Sequence, residues 1–298
     1  MSGRKGFWPW VALFVIYVVW GSTYMAIAVA VKEMPPMAAA ALRFLVAGVL
    51  MAGVAFVVDR RHGRPTGRQL LDYSLVGFLL LAVGNALVMW AEQRIPSGVA
   101  ALIVATVPLW LTLFDGFRAA GQPWTVRAWI GTVVGLFGVF ILARPEGSLN
   151  AGHWPAVIGL QVATLAWATG TLYAQSVPRR LPLFSAAAVE MVAGGLALVV
   201  QSLLLGESWA AFRTASWEAW LSILYLVVFG SLIGFTAFAY CINELPAPVV
   251  GTYAYVNPVV AVALGALFLQ ERVSESLIAG GLLVLVSVVI TTLSRRQP

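Results

Sequence analysis

Polar side chains recur along one edge of an otherwise apolar stretch between residues 154 and 175. They follow a spacing of three, four, three and four residues, which places them on one face of an α-helix. Hydroxyl and amide groups in this pattern either line a ligand-binding cavity or hydrogen-bond a neighbouring helix. We favour a cavity, with Trp167 flanking it. The stripe consists of Gln161, Thr164, Ala168, Thr171 and Gln175.

Aromatic and amide side chains form similar faces in five other apolar stretches. Trp20, Trp110 and Trp167 lie too deep to anchor at a membrane surface, and each indole N–H needs a hydrogen-bond partner. A cavity of this chemistry suits an amphipathic zwitterion with an apolar side chain better than an inorganic ion. Packing inside a helix bundle is the alternative interpretation. The further predicted lining residues are Tyr17, Trp20, Tyr24, Phe78, Asn85, Met89, Trp110, Phe235, Phe238, Tyr253 and Asn257.

Arg43 and Glu190 are the two ionisable residues that fall well inside apolar stretches. Such residues are costly in a membrane and are candidates for function. We expect Arg43 to extend its long stem toward the nearer membrane face, whereas Glu190 needs a hydrogen-bond donor or a proton. Coupling of transport to protons is one interpretation of these residues, and a structural hydrogen bond is the other.

Pro108 and Pro258 each fall in the middle of an apolar stretch. A proline inside a helix removes a backbone hydrogen bond and clashes with the preceding turn. The carbonyl that this frees can bind a ligand ammonium group or a water. The two prolines are therefore either hinges or fixed kinks.

The composition of the chain indicates what kind of structure positions these residues. Of 298 residues, 61% are hydrophobic and 10% are charged, whereas a soluble domain carries about 25% charged residues. A soluble enzyme is thereby excluded, and an integral membrane protein is indicated.

Breaks at charge clusters, Pro and Gly divide the chain into ten apolar segments of about the length that a spanning helix requires. Uniformly apolar runs of this length predict helices, since barrel strands are shorter and alternate in polarity. The fold class is therefore an all-α integral membrane protein. The segments are 8–31, 36–58, 70–91, 96–119, 127–143, 154–175, 182–205, 217–242, 247–270 and 275–294.

Charge sets the expected orientation. With the N-terminus in the cytoplasm, twelve Lys or Arg residues fall on the cytoplasmic side and five on the other. This bias predicts that both termini are cytoplasmic. The single cysteine, Cys241, excludes an intrachain disulfide.

The two halves of the chain resemble each other, at residues 1–145 and 146–298. Met37–Arg43 aligns with Phe184–Glu190 after 147 residues, and Trp20 aligns with Trp167 at the same offset. A pair of prolines twelve residues apart occurs in segment 4 (Pro96, Pro108) and again in segment 9 (Pro246, Pro258), and Gly131 matches Gly280. A repeat of five spans is odd, so the second copy must be inverted, as in alternating-access transporters.

These motifs resemble the drug/metabolite transporter superfamily and its EamA-type ten-helix exporters. The likeness rests on Trp20–Ser22, Leu42–Phe44, the spaced prolines and the run Phe268–Ser274. That run is similar to the family's Gly-Glu-Arg-hydrophobic-Ser signature, except that Gln270 replaces the Gly. In the first half, Gln122 stands where a Glu is expected. The resemblance implies an exporter of amino acids or related metabolites, and within the family it is closest to aromatic amino-acid exporters.

Other classes of protein lack support in the sequence. An ATP-driven pump needs a Walker motif, and the chain has only two lysines, Lys5 and Lys32. The only histidines, His62 and His153, fall in loops, so we expect no enzyme activity, no metal and no cofactor. The expected partners are a small-molecule substrate and the lipid bilayer of the cell membrane, with no nucleic acid and an oligomeric state left open. A channel or structural membrane protein without alternating access is the alternative function.

Overall fold

A computed structural model describes residues 7–60, 65–117, 125–142, 151–177, 180–245, 247–250 and 252–294. The described residues form helices and connecting turns, with no strand among them. Gln122 and Pro246, and several of the basic residues that set the expected topology, lie outside the described residues.

Each of the ten predicted apolar segments contains helix. Seven of these helices are α1 Trp8–Ala30, α2 Pro36–Val58, α3 Gly67–Ala91, α4 Ser97–Asp115, α5 Val126–Leu142, α6 Trp154–Ser176 and α7 Leu183–Leu204. The other three are α8, which joins Trp217–Tyr225, Leu226–Ile233 and Gly234–Glu244, α9 Tyr253–Phe268 and α10 Glu275–Ser294. Single turns at Ala151–His153, Ala211–Thr214 and Ala247–Val250 precede α6, α8 and α9.

Seven of these helices are long and apolar enough to cross a membrane, namely α1 to α4 and α6 to α8, while the apolar stretches of α5, α9 and α10 are shorter. Their outward surface is apolar: the side chains of Phe56 and Leu204 are 81% and 82% exposed. Exposed apolar surface of this kind is stable in lipid and not in water. The protein is an α-helical multi-pass membrane protein.

Two helices contain a π-helical stretch at matching places. Phe78–Asn85 forms the middle of α3, and Leu226–Ile233 forms the middle of α8, 148 residues later. A π-helical turn accommodates an extra residue. It therefore interrupts the α-helical pattern of backbone hydrogen bonds and shifts the side chains that follow. Apolar periodicity does not reveal these stretches, and the sequence did not predict them.

Helix α2 crosses α7 through reciprocal glycine contacts. A Cβ at Gly48 would lie 2.8 Å from Cγ2 of Val192, and one at Gly195 would lie 2.8 Å from Cδ2 of Leu45. Gly48 and Gly195 are 147 residues apart, as are Leu45 and Val192. The same two surfaces therefore meet each other, which brings the backbones close without a bulky side chain between them.

Helices α5 and α10 form a second glycine crossing. A Cβ at Gly138 would lie 2.9 Å from the carbonyl oxygen of Gly280, and one at Gly280 would lie 2.8 Å from the carbonyl oxygen of Gly138. Gly131 and Gly135 face Thr291 and Ser287 of α10. These glycines allow close contact between the two helices.

Carboxylates join helix starts to loops that are distant in sequence. At one end, which we call the glutamate end, Glu207 accepts from the backbone N–H groups of Met37 and Ala38 at 3.1 and 2.8 Å. Glu271 accepts there from Ser97 and Gly98 at 2.7 to 3.1 Å. A carboxylate at a helix start satisfies free N–H groups and interacts favourably with the helix dipole.

Glu33, also at the glutamate end, accepts from the backbone N–H and the hydroxyl of Ser216, both at 2.7 Å. These hydrogen bonds lower the pKa of Glu33 below its ordinary value of 4.5. At the opposite end, which we call the aspartate end, Asp59 accepts from the N–H and hydroxyl of Ser185 at 2.8 and 2.7 Å. Asp72 accepts there from Tyr173 at 2.8 Å.

Three predicted segments differ from the structure. Helix α3 begins at Gly67 rather than at residue 70, because Thr66 and Gln69 form a capping box. Helix α4 is interrupted at Ala105 and Thr106, so Pro108 lies in the first turn of its second part and not inside a continuous helix. Segment 9 is likewise split into Ala247–Val250 and α9. Of the two prolines predicted in mid-helix, Pro258 lies in a helix interior and Pro108 does not.

Candidate functional site

Trp20 lies at the centre of an aromatic cluster between α1, α8 and α9. Its ring centroid is 5.7 Å from that of Phe235, 5.1 Å from that of Phe238 and 5.3 Å from that of Tyr253. Its indole nitrogen donates to the carbonyl of Gly230 at 3.2 Å. That carbonyl belongs to the π-helical stretch of α8, which explains how a deep indole finds an acceptor.

Polar contacts tie α9 to α1 beside this cluster. The hydroxyl of Tyr17 hydrogen-bonds that of Thr252. The side chain of Asn257 faces two backbone carbonyls, so its amide nitrogen is the group that donates, to Tyr17 and Tyr253 at 3.2 Å each. Four predicted aromatic residues and Asn257 are therefore brought together with Tyr17, and sequence reasoning found all six.

A second group lies between α4, α6 and α3. The indole nitrogen of Trp110 donates to Oε1 of Gln161 at 3.3 Å, while the buried Nε2 of Gln161 has no hydrogen-bond partner. The hydroxyl of Thr164 donates to the Gln161 carbonyl of its own helix. Trp167 covers Gly84 of the α3 π-helical stretch, where an added Cβ would lie 3.2 Å from its ring. An unpaired buried amide N–H is a free donor for a ligand or a water.

Arg43 is buried at 4% exposure and does not extend toward a membrane face, so that expectation is wrong. Its Nε donates to the hydroxyl of Ser231 at 3.1 Å, and its Nη1 donates to Oδ1 of Asn85 at 3.3 Å. The guanidinium carbon also lies 4.6 Å from the ring centroid of Phe44. The two hydrogen-bond partners come from the two π-helical stretches, and their polar groups hold the cation inside the bundle.

Glu190 lies on α7 where its backbone packs against Gly77 of α3, so an added Cβ at Gly77 would meet the Glu190 backbone. The sequence singled out Arg43 and Glu190 as ionisable residues well inside apolar segments, and the structure shows a further buried acid just beyond the end of α3. Glu92, at the end of α3, is 7% exposed, and neither of its carboxylate oxygens has a hydrogen-bond partner. Helical spacing places Glu92 on the same face as Asn85 and Met89, whereas its burial follows only from the structure.

The remaining predicted residues are dispersed. Met89 is fully buried in the largest apolar cluster, and Phe78 is 41% exposed. Tyr24 packs at the edge of a second apolar cluster, and Thr171 is half-buried on α6. Within the described ranges, no three His, Cys, Asp or Glu side chains cluster as metal ligands would.

The arrangement of the deep tryptophans and the π-helical stretches is typical of one class of protein. Two deep tryptophans, Trp20 and Trp167, each lie against the π-helical stretch of a helix from the other half of the chain. Polar side chains meet between apolar helices where a small molecule could be held, as in membrane transporters with discontinuous helices.

Comparison with known proteins agrees with that class. The sequence model of the EamA-like transporter family matches the chain twice, at residues 8–144 and 154–293. The chain belongs to this family of the drug/metabolite transporter superfamily, and it is a membrane transporter.

Similar proteins from two bacteria align with nearly the whole chain. The uncharacterized inner membrane transporter YedA of Escherichia coli (strain K12) is 40% identical over 283 residues, covering 94% of this chain and 89% of YedA. The uncharacterized transporter YoaV of Bacillus subtilis (strain 168) is 23% identical over 288 residues, covering 95% and 96%. A solved crystal structure at 18% identity superposes with a TM-score of 0.66 and covers 96% of both chains, which supports the fold.

Proposed function

We propose that the protein exports amino acids, aromatic or other hydrophobic ones, or related small metabolites across the cell membrane by alternating access. The observation that carries the proposal is the Trp20 cluster, where three aromatic partners from α8 and α9 surround a deep indole. Aromatic faces bind apolar side chains, and their edges tolerate a polar head. The unpaired Nε2 of Gln161 supplies a donor suited to a carboxylate.

The proposed architecture has ten spans in two inverted repeats, residues 1–145 and 146–298. The reciprocal crossing of Gly48 and Gly195, and the paired tryptophans on opposite π-helical stretches, support it. Inverted repeats place a binding site at their interface near the membrane midplane. In this proposal both termini face the cytoplasm, so the glutamate end faces outward, and the protein resides in the inner membrane.

Pro108 and Pro258 are proposed to act as hinges of α4 and α9. The break in α4 directly before Pro108, and the position of Pro258 inside α9, support this. Helix breaks in transporters allow one end to open while the other stays packed. Residues of both halves then line the same cavity, with Asn85, Thr164 and Thr171 as its polar positions.

Counterflow in liposomes tests the proposal. Purified protein is reconstituted into vesicles loaded with unlabelled phenylalanine, and uptake of labelled phenylalanine is compared with that of labelled aspartate. We expect saturable phenylalanine counterflow, whereas flux that does not saturate and shows no counterflow indicates a channel and contradicts the proposal.

Variants locate the site in the same assay. Trp20→Ala removes the ring at the centre of the proposed aromatic site, and the loss of a substrate contact worth about 1.4 kcal/mol should lower the apparent affinity about tenfold. Trp167→Ala and Asn85→Ala should also reduce counterflow in protein that remains folded by size-exclusion chromatography. Phe56→Ala, at an exposed position, is the matched control and should transport normally. Normal flux in both tryptophan variants would rule out this site.

A further inference from the structure

Glu92 is a buried acid that the proposed substrate cavity does not use. It follows the last residue of α3 and is 7% exposed, and both carboxylate oxygens are without a hydrogen-bond partner. The backbone N–H of Ala28 approaches the carboxyl group, but Ala28 lies inside α1, where this N–H belongs to the helix. Buried carboxyl groups are nearly always hydrogen-bonded, so this one requires an explanation.

Ionisable groups surround Glu92 from several elements. Helix α1 contributes Tyr24, which itself lies near Tyr253 of α9, and helix α2 contributes Arg43. The loop between α9 and α10 contributes Glu271. Helix α6 meets this part of α3 through Gly159, packed against Trp90. Arg94, beside Glu92 in its own loop, is exposed and stacks on Trp90 instead.

None of these neighbours neutralises Glu92 by contact. Arg43 is within electrostatic range, but its Nε and Nη1 donate to Ser231 and Asn85, and it forms no ion pair with Glu92 in the described structure. Glu271 adds a like charge, although its oxygens are engaged by Ser97 and Gly98. A charged carboxylate in this position would be buried and unpaired, which strongly favours the protonated form.

The glutamate end is closed over Glu92. Glu271 joins the start of α4 to the loop before α10, and the side-chain amide of Gln93 donates to the Val31 carbonyl at the end of α1 at 3.2 Å. Opening of this end would break these contacts and admit water to the carboxyl group, which then loses its proton to that water. Proton release at Glu92 and opening at the glutamate end are thereby linked.

We propose that Glu92 is a proton-binding site, occupied while the glutamate end is closed and emptied when that end opens to water. The part of this proposal that concerns transport rests on the proposed function. In each cycle the acid gives its proton to water on the open side and regains one before the end closes. High pH therefore hinders closure and slows counterflow.

Chemical labelling tests proton occupancy without any substrate. Dicyclohexylcarbodiimide is an apolar reagent that adds to protonated buried carboxyl groups, and peptide mass spectrometry locates the adduct. We expect labelling of Glu92 in the wild-type protein, falling about tenfold for each pH unit above its midpoint. Absence of label at Glu92 at every pH from 5 to 9 overturns the proposal.

Two variants test whether protonation of Glu92 is coupled to transport. We expect an infrared band of protonated Glu92 in the wild type. Glu92→Gln mimics the protonated acid, so it should lose that band, and its counterflow should become independent of pH. Glu218→Gln, on the exposed surface of α8, should keep both the band and the pH profile. A Glu92→Gln protein with the wild-type pH profile contradicts the proposal. If wild-type protein gives no amino-acid counterflow, the proposed function fails, and labelling and the infrared band still decide the proton site.

Discussion

The two halves of the protein share a framework and differ in the charges that they place on it. Both halves carry a π-helical stretch in their third helix, and α2 and α7 present the same glycine surface to each other. Both close the start of the partner's second helix with a carboxylate, Asp59 on Ser185 and Glu207 on Ala38. Equivalent positions in the two copies thus keep the contacts that involve the backbone.

The charges at equivalent positions are opposite. Arg43 in α2 corresponds to Glu190 in α7. Arg43 is held by Asn85 and Ser231, whereas the positions equivalent to these two, Ile233 and Val83, carry apolar side chains. Glu190 therefore has apolar residues at the two positions where Arg43 has its hydrogen-bond partners, one position in each half.

This difference shows which contacts a duplicated membrane fold must retain. Close backbone approach and capped helix ends determine whether the helices pack at all, so they recur in both halves. Side chains in the middle of the bundle are free to diverge, and the polar groups collect near the glutamate end of α2 and α3.

Of the variants that test this comparison, Gly77→Ala should lower the stability of the protein most. Gly77 lets the backbone of α3 touch that of α7 at Glu190, whereas the equivalent position in the other half is Tyr225. An added methyl group meets backbone atoms that cannot move aside, so we expect a loss of about 3 kcal/mol in stability. Thermal unfolding in detergent measures it. Gly53→Ala, also in a helix and with nothing within 4 Å, is the control and should be at least as stable as the wild type. A wild-type melting temperature for Gly77→Ala would show that the crossing is looser than described.

Asp59→Asn and Glu207→Gln should have intermediate and similar effects. Each carboxylate caps the second helix of the other half with two hydrogen bonds. The amide oxygen of each variant can still accept, but the charge that interacts with the helix dipole is lost, which costs about 0.3–1 kcal/mol. The same unfolding assay measures both variants. Because the two sites are equivalent, the two losses should agree and should add in the double variant. A much larger loss at one end would mean that the framework is not shared.

Glu33→Gln should have the smallest effect on stability, and this effect should depend on pH. Its pKa is lowered by hydrogen bonds from Ser216, so its contribution to stability is complete above about pH 4.5 and is lost as the pH falls through the lower value of the folded protein. The position equivalent to Glu33 in the other half is Arg180, which instead donates to the carbonyl of Gln175. The melting temperatures of wild type and Glu33→Gln should differ at pH 6 and converge near pH 3. A constant difference across this range would assign the effect to another group.

Much of the candidate site could be predicted because helical spacing carries the information. Trp20 was selected for its depth and Phe235 and Phe238 for their position on one face, and the three rings meet in the structure. The pairing of Trp110 with Gln161 joins two residues that were chosen independently. Helical spacing does not show whether a helix face borders a cavity or a packed neighbouring helix. Met89, for example, was predicted to line a cavity and lies in the apolar core.

The sequence by itself determined the class of the protein, the approximate positions of its helices and the similarity of its two halves. These follow from hydropathy, charge and repeats, which are properties of short stretches of chain. Only the tertiary structure decided that α3 and α8 contain π-helical turns, that Arg43 stays inside the bundle and that Glu92 is buried without a partner. Each of these depends on which atoms of distant helices lie within 3 or 4 Å of one another, and that is set by the helix crossings.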